Sequence, residues 1–450
     1  MPLKNWTIWA LVASALFFLY LFGLDRTGLL SADEPRYAAI GREMAESGDW
    51  VTPRLYGQPW FEKPPLLYWM TAAGFKAGLN EDLAPRLPVA IVSVAFLIFY
   101  FFHLRSEFGE RAAAFSTCIL ATSAGWLAYS HIAVTDLPMS AAFSAAMLLV
   151  ARNRGQSILV PVFLGIAVLG KGLAPLALFL PAVWFLRRQP KVIAIALGGA
   201  ILIALPWYAA VTVLHGRAFL DEFFWKHHFL RFATGALQHV RPFWFFLPVL
   251  LAGMFPWTPV LALLFRRDLY RDSRIRFLGA WFAFGFVLFS ASQNKLPGYI
   301  LPLLPAVAAL CGIALAQTRR ATWVLAACAG LLWLVPAIEQ VLPRALIAGL
   351  SHASVRLPFE ALVPVLVLAA LCWLLEYYGH RNLAVGAIVA CITVAVITVT
   401  TITYPMLDHT VSARAFYHSQ VESMVCTPSS NRSWRYGLDY YAHRPIPDCK

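Results

Sequence analysis

Long unbroken apolar runs constrain this 450-residue chain more than any other feature of its sequence. A helix needs about 20 residues to cross roughly 30 Å of hydrocarbon. Thirteen segments approach or reach that length, near 6–24, 84–104, 112–129, 135–151, 156–170, 172–186, 192–213, 243–265, 277–292, 299–317, 321–338, 359–378 and 382–404. The fifth and sixth are short and share the hinge Gly170-Lys171-Gly172. Strands of an outer-membrane barrel would alternate over about ten residues, and these runs do not. The pattern predicts an all-α polytopic membrane protein of about thirteen spans. Only 13% of residues are charged, against roughly 25% in an average soluble protein. Soluble enzymes, disordered proteins and nucleic-acid binders are thereby excluded together.

The net charge of +13 sorts by side. With Lys4 inside, the inner loops collect sixteen basic residues, among them Arg187, Arg188, Arg266, Arg267, Arg271, Arg274 and Arg276, against five acids. The outer segments hold twenty basic and eighteen acidic residues. That bias is the positive-inside signal, and the odd number of spans then puts the C-terminus outside. The first segment reads as an uncleaved anchor. Five cysteines (118, 311, 328, 372 and 391) fall in spans, where cysteine behaves as a small hydrophobe. Cys426 and Cys449 share the exported tail, where a disulfide is plausible. The expected organisation is a membrane domain over 1–404, with a first outer loop at 25–83, and a small tail segment at 405–450. The 339–358 loop reads as a connector.

Polar chemistry concentrates in the first outer loop. Asp33-Glu34-Pro35-Arg36-Tyr37 opens a helix, with Glu34 as its cap, Pro35 in its first turn and Gly48 as its stop. Tyr37, Ile40 and Met44 share one face, which predicts a short amphipathic helix lying on the membrane surface. Further on, Glu62-Lys63 precedes a rigid double proline. Asp33 after the first span and Asp136 at the start of the fourth meet on one side of the membrane. Two such carboxylates suit orientation or deprotonation of an acceptor hydroxyl. Arg36 and Lys63 suit a phosphate. Gly165–Lys171 imitates a nucleotide-binding loop, but Gly172 stands where Ser or Thr must hold Mg²⁺, so Lys171 reads as a hairpin-tip lysine facing a polar cavity. Arg231, Lys295 and Tyr299 add cationic and aromatic groups at the same face. Glu62 with His228 and His239 is the open alternative of a divalent metal site; no other cofactor is implied.

The run Asp33-Glu34-Pro35-Arg36-Tyr37, then Ser47-Gly48-Asp49-Trp50-Val51 and Phe61-Glu62-Lys63-Pro64-Pro65, resembles the first periplasmic loop of the lipid A aminoarabinose transferases. Thr135-Asp136, Gly170-Lys171-Gly172, Phe223-Phe-Trp with His228 and Arg231, Pro242-Phe-Trp, and Lys295-Leu-Pro297 with Tyr299 extend the likeness over roughly 1–310. These enzymes belong to the GT-C superfamily of polyprenyl-phosphate-dependent glycosyltransferases. The resemblance implies a GT-C fold and a periplasmic site. It implies Asp33 and Asp136 as the catalytic acids, Glu62 lining the site, and Arg36, Lys63 and Tyr299 at the donor phosphate; by residue type and position, Glu62 joins the catalytic set and Tyr37, Lys171, Arg231 and Lys295 join the donor-phosphate set. It further implies a monomer using an undecaprenyl-phosphate sugar donor, lipid A as acceptor, membrane lipids as surroundings and no nucleic acid. Two departures bear on the acceptor: the 46-residue tail is short for this family, and Lys226-His227 replaces its acidic residue before the histidine. Competing readings are a protein or surface-glycan glycosyltransferase and a lipid-linked sugar flippase.

Overall fold

The computed structural model describes residues 5–153, 156–230, 241–348, 354–420, 426–427, 431–447 and 449. Among the described residues, seven helices are long and apolar enough to cross a membrane: Leu83–Phe108, Pro190–His215, Ser273–Ala291, Pro297–Gln317, Thr322–Ile347, Phe359–Tyr377 and Arg381–Thr410. Two bent pairs raise the number to nine. Glu110–Thr122 meets Ala124–Ser130 at 60°, and Phe243–Gly253 meets Thr258–Phe265 at 114°. Trp6–Tyr20, Leu159–Lys171 and Ala174–Phe185 are shorter apolar helices, and Asp136–Asn153 is a helix of 18 residues. Large side chains such as Val213, Leu202 and Phe265 stand exposed on the outside of the bundle, as a surface solvated by acyl chains requires. The expected connector at 339–358 is partly helix, because Val335–Ala348 continues the preceding one.

Pro297–Gln317 is the central helix, with every residue from Leu304 to Leu315 buried. It packs closely on Glu110–Thr122. A Cβ on Gly312 would sit 2.3 Å from the Ser116 backbone nitrogen, so only glycine allows the two backbones to approach this far. Asp136–Asn153 packs on Leu159–Lys171, which packs in turn on Pro190–His215.

The first loop is not a surface helix with a polar outer face. Helix Asp33–Ser47 buries Glu34 through Arg42, Met44 and Ala45, because Leu66–Lys76 and the tail helix Arg432–Tyr441 both pack against it. Gly48 ends it as expected. Glu34 lies inside the helix and makes no cap. Its carboxylate takes Nε of Arg86 at 2.7 Å and Nη2 at 2.9 Å, plus the backbone N–H groups of Leu30 at 2.7 Å and Ala133 at 2.9 Å. Arg86 also donates to the carbonyls of Leu24, Thr27 and Gly28 at 2.8, 2.5 and 2.9 Å. A buried guanidinium thus has every donor matched, which is the condition for burying one at all. The pair locks the exit from the first span to the start of Leu83–Phe108.

Beyond Gly48 the chain makes a two-residue hairpin, with Arg54 opposite Pro59 and Leu55 opposite Gln58. Glu43 accepts from Gly57 N–H at 3.0 Å and fastens the hairpin tip to the helix. The tail closes over this assembly. Tyr441 donates to Asp82 at 2.8 Å and accepts from Leu29 N–H at 2.7 Å. Arg414 bridges Asp82 at 2.6 Å and Asp408 at 2.9 Å. Cys426 and Cys449 are joined as a disulfide.

Candidate active site

The first turn of helix Asp33–Ser47 places Asp33 and Arg36 on one face, where they form an ion pair. Adjacent acids meet opposite fates here. The Glu34 side chain is 1% exposed and bound to Arg86, whereas that of Asp33 is 47% exposed. One acid is locked into the scaffold and the other is half-exposed.

Arg36 is the hub of the loop. Its Nη2 lies 3.2 Å from Glu62 Oε2, and the Lys63 ammonium lies 3.2 Å from Glu62 Oε1. The hairpin delivers this Glu-Lys pair, and Phe61 beside it anchors in an aromatic cluster with Phe219 and His215. The guanidinium also sits over three rings, Tyr37 at 5.3 Å, Trp60 at 5.1 Å and Tyr436 at 5.4 Å. Such contacts are favourable in partly desolvated surroundings. Burial opposes the Arg36 charge, but Glu62, then Tyr37 and Asp33, outweigh it and raise its pKa above the ordinary range. Burial, then Glu62 and Asp33, also push the Tyr37 phenol well up, so it remains a hydrogen-bond donor. Arg36 Nε, Trp60 Nε1 and Tyr68 Oη are buried with no hydrogen-bond partner among the described residues. Unpaired donors grouped around one cation are what an anion-binding site presents before its ligand arrives.

A second group faces the first. Asp136 starts helix Asp136–Asn153, and its Oδ1 lies 2.5 Å from Nζ of Lys171. The hairpin-tip lysine therefore meets a carboxylate and not an open cavity. The same ammonium stands 5.0 Å from the centre of the Tyr299 ring. Gly298 makes this junction possible: a Cβ there would meet Asp136 Oδ1 at 2.5 Å and Tyr129 Oη at 2.7 Å. Tyr129 lies within electrostatic reach of both Asp136 and Asp33.

Lys295 is buried by its own loop, donating to the carbonyl of Ser292 and to that of Arg241 at 3.0 Å. Burial lowers its pKa. Both of these Lys295 hydrogen bonds run to backbone carbonyls. Arg231 and His239 lie outside the described residues, as does the side chain of His228. Among the described residues no group of three His, Cys, Asp or Glu side chains could hold a metal. The one described member of the proposed metal set, Glu62, faces two cationic side chains, which does not fit a metal ligand. Trp60, Tyr68, Tyr129 and Tyr436 belong to the site by position, and sequence reasoning missed them as site residues. Aromatic residues are common near headgroups, and nothing in the spacing distinguishes these four.

A family model described as dolichyl-phosphate-mannose-protein mannosyltransferase matches residues 7–215. The undecaprenyl phosphate-alpha-4-amino-4-deoxy-L-arabinose arabinosyl transferase of Pseudomonas aeruginosa (strain UCBPP-PA14) is 33% identical over 334 residues, covering 69% of this chain and 60% of that protein. The enzyme of the same name from Edwardsiella ictaluri (strain 93-146) is 33% identical over 323 residues, covering 67% and 58%. The chain thus spans about three-fifths of the length of these curated relatives. The crystal structure of ArnT from Cupriavidus metallidurans bound to undecaprenyl phosphate superposes with a TM-score of 0.77 at 28% identity, over 99% of this chain and 86% of that one. Its apo form gives 0.75 at 27% identity, over 98% and 86%.

Proposed function

The chain is an aminoarabinose-transferase-like member of the GT-C superfamily, and on that premise we propose that it is a polyprenyl-phosphate-dependent glycosyltransferase. It takes a sugar from undecaprenyl phosphate and passes it to lipid A at the periplasmic face of the bacterial inner membrane. The proposal includes thirteen spans, a catalytic membrane domain over 1–404 with a periplasmic first loop at 25–83, and a periplasmic tail at 405–450. What supports it is that Asp33, beside Arg36 and the Glu62-Lys63 pair, and Asp136, beside Lys171, are both within electrostatic reach of Tyr129.

The reaction is an inverting displacement. The acceptor oxygen forms a bond to the anomeric carbon as the bond from that carbon to the phosphate oxygen breaks, and the electron pair leaves with undecaprenyl phosphate. Charge on the departing phosphate needs compensation more than protonation, and Arg36 with Lys63 supplies it from fixed positions. Tyr37, a neutral phenol, stands beside them. Asp33 orients the acceptor, and Asp136, held by Lys171, assists from the opposite side. A lipid A phosphate is already ionised as an acceptor, so Asp33 then positions the nucleophile without taking a proton. Donor contacts from Lys295, Arg231 and Tyr299 complete the proposed set.

The test uses purified full-length protein in vesicles with radiolabelled undecaprenyl-phosphate aminoarabinose and lipid A. Labelled lipid A is the expected product, and Asp33→Asn should bind donor without making it. Movement of donor across the vesicle with no labelled product would replace the enzyme by a flippase. Wild-type transfer by Asp33→Asn would remove Asp33 from the mechanism.

A further inference from the structure

The end of the bundle away from Asp33 carries a cleft that this reaction does not use. Helix Ala174–Phe185 begins beside Lys171 and runs to Arg187 and Arg188, and helix Ser273–Ala291 ends just before Lys295 and begins near Arg276. Where their far ends meet, a cavity of about 460 Å³ opens between Trp184, Phe185, Arg187, Arg188, Arg276 and Phe277. Its lining holds three arginines and no acid.

The arginines are arranged for something outside the protein. Arg276 is steered by the carbonyls of Tyr270 at 3.1 Å and Arg271 at 2.9 Å. Arg187 donates to the Trp184 carbonyl at 3.0 Å and lies 4.7 Å above the Trp184 ring. Neutral carbonyls orient these guanidinium groups without cancelling their charge. The nearest acid in sequence, Asp272, forms its ion pair with Arg274 at 2.6 Å and meets Arg276 only through the longer-range field. Phe185 and Phe277 stand 4.8 Å apart between centroids and form the apolar floor. Trp184 is 70% exposed and forms a wall that water would not favour.

We propose that this cleft binds the phosphodiester headgroup of an anionic phospholipid from the leaflet at that end of the bundle, with an acyl chain lying along Trp184, Phe185 and Phe277. Three arginines above an aromatic floor, with no acid in the lining, match a negative headgroup attached to hydrocarbon at a bilayer boundary. A free phosphate would satisfy the arginines but leave the aromatic walls uncovered. A zwitterionic headgroup would bring its own ammonium against them. The proposal does not depend on the transfer reaction.

The experiment is native mass spectrometry of the full chain released from vesicles containing equal phosphatidylglycerol and phosphatidylcholine. Retained phosphatidylglycerol should outnumber phosphatidylcholine. Preference should fall roughly fivefold for each of Arg187→Gln, Arg188→Gln and Arg276→Gln, while Arg→Lys variants keep most of it. A thermal melt of each variant separates lost binding from lost folding. In parallel, brominated phosphatidylglycerol should quench wild-type fluorescence more than that of Trp184→Phe. Equal retention of the two lipids by the wild type, an unchanged preference in the folded triple Gln variant, or complete displacement by inorganic phosphate would overturn the proposal.

Discussion

Glu34→Gln and Asp33→Asn are neighbouring changes of the same chemical size that should separate stability from activity. The Glu34 carboxylate is buried with Arg86, and their side chains are 1% and 2% exposed. Replacing it by an amide turns one acceptor into a donor facing a guanidinium that cannot lose its proton. It also weakens the acceptor for Leu30 and Ala133. Breaking one side of a buried ion pair typically costs about 3–5 kcal/mol, because the remaining charge stays desolvated. The Asp33–Arg36 pair has one half-exposed partner, and exposed pairs contribute about 0–1 kcal/mol. Arg36 also keeps Glu62 when Asp33 is neutralised. Glu34→Gln should therefore lower the thermal midpoint in detergent while its folded fraction still transfers sugar. Asp33→Asn should melt near wild type yet lose transfer by about 10²-fold, the cost of a misplaced acceptor. Differential scanning fluorimetry and lipid A labelling on the same preparations decide the matter. If Glu34→Gln melts with the wild type, the buried hub does not hold the loop. If Asp33→Asn melts as low as Glu34→Gln, Asp33 is structural.

Two further outcomes test the surroundings of Arg36. Tyr436→Ala removes the tail's ring from above the guanidinium, at a cost of about 0.5–2 kcal/mol for such a contact. KM for the donor should rise several-fold with kcat little changed, and Tyr436→Phe should restore it; an equal loss in the Phe variant would refute a role for the ring face. Glu62→Gln leaves Arg36 and Lys63 without the carboxylate between them, so donor affinity should fall, whereas EDTA should leave wild-type labelling intact. Loss of labelling on chelation, restored by a divalent ion, would show that Glu62 works through a metal and not through its two cations.

Much of the site was legible because chemistry of this kind needs particular residue types in a particular place. Charged side chains are scarce in this chain, so an Asp, Arg or Lys beside an apolar run stands out without any structure. Asp33, Arg36, Glu62, Lys63, Asp136 and Lys171 were all visible in that way, and the structure joins them in two ion-paired groups. Glu34 shows where this reasoning stops. In sequence it is one more acid of the Asp33-Glu34-Pro35-Arg36-Tyr37 run, and only Arg86, 52 residues away, reveals that it is part of the scaffold. The surface helix was misjudged for a related reason. Periodicity shows that Tyr37, Ile40 and Met44 share a face, but not that a tail hundreds of residues later covers the opposite one.

The sequence by itself determined the solvent and the class of architecture. Hydrophobic runs of this length have no stable place in water, and inside a bilayer the backbone must satisfy its own hydrogen bonds within each segment. That choice is local, so it can be read locally. Tertiary structure alone decided which acid is buried and which is open, which lysine is neutralised by a carboxylate, and that Tyr436 closes over Arg36. Those outcomes depend on partners far apart in the chain, and the energy of a charge is set by what surrounds it.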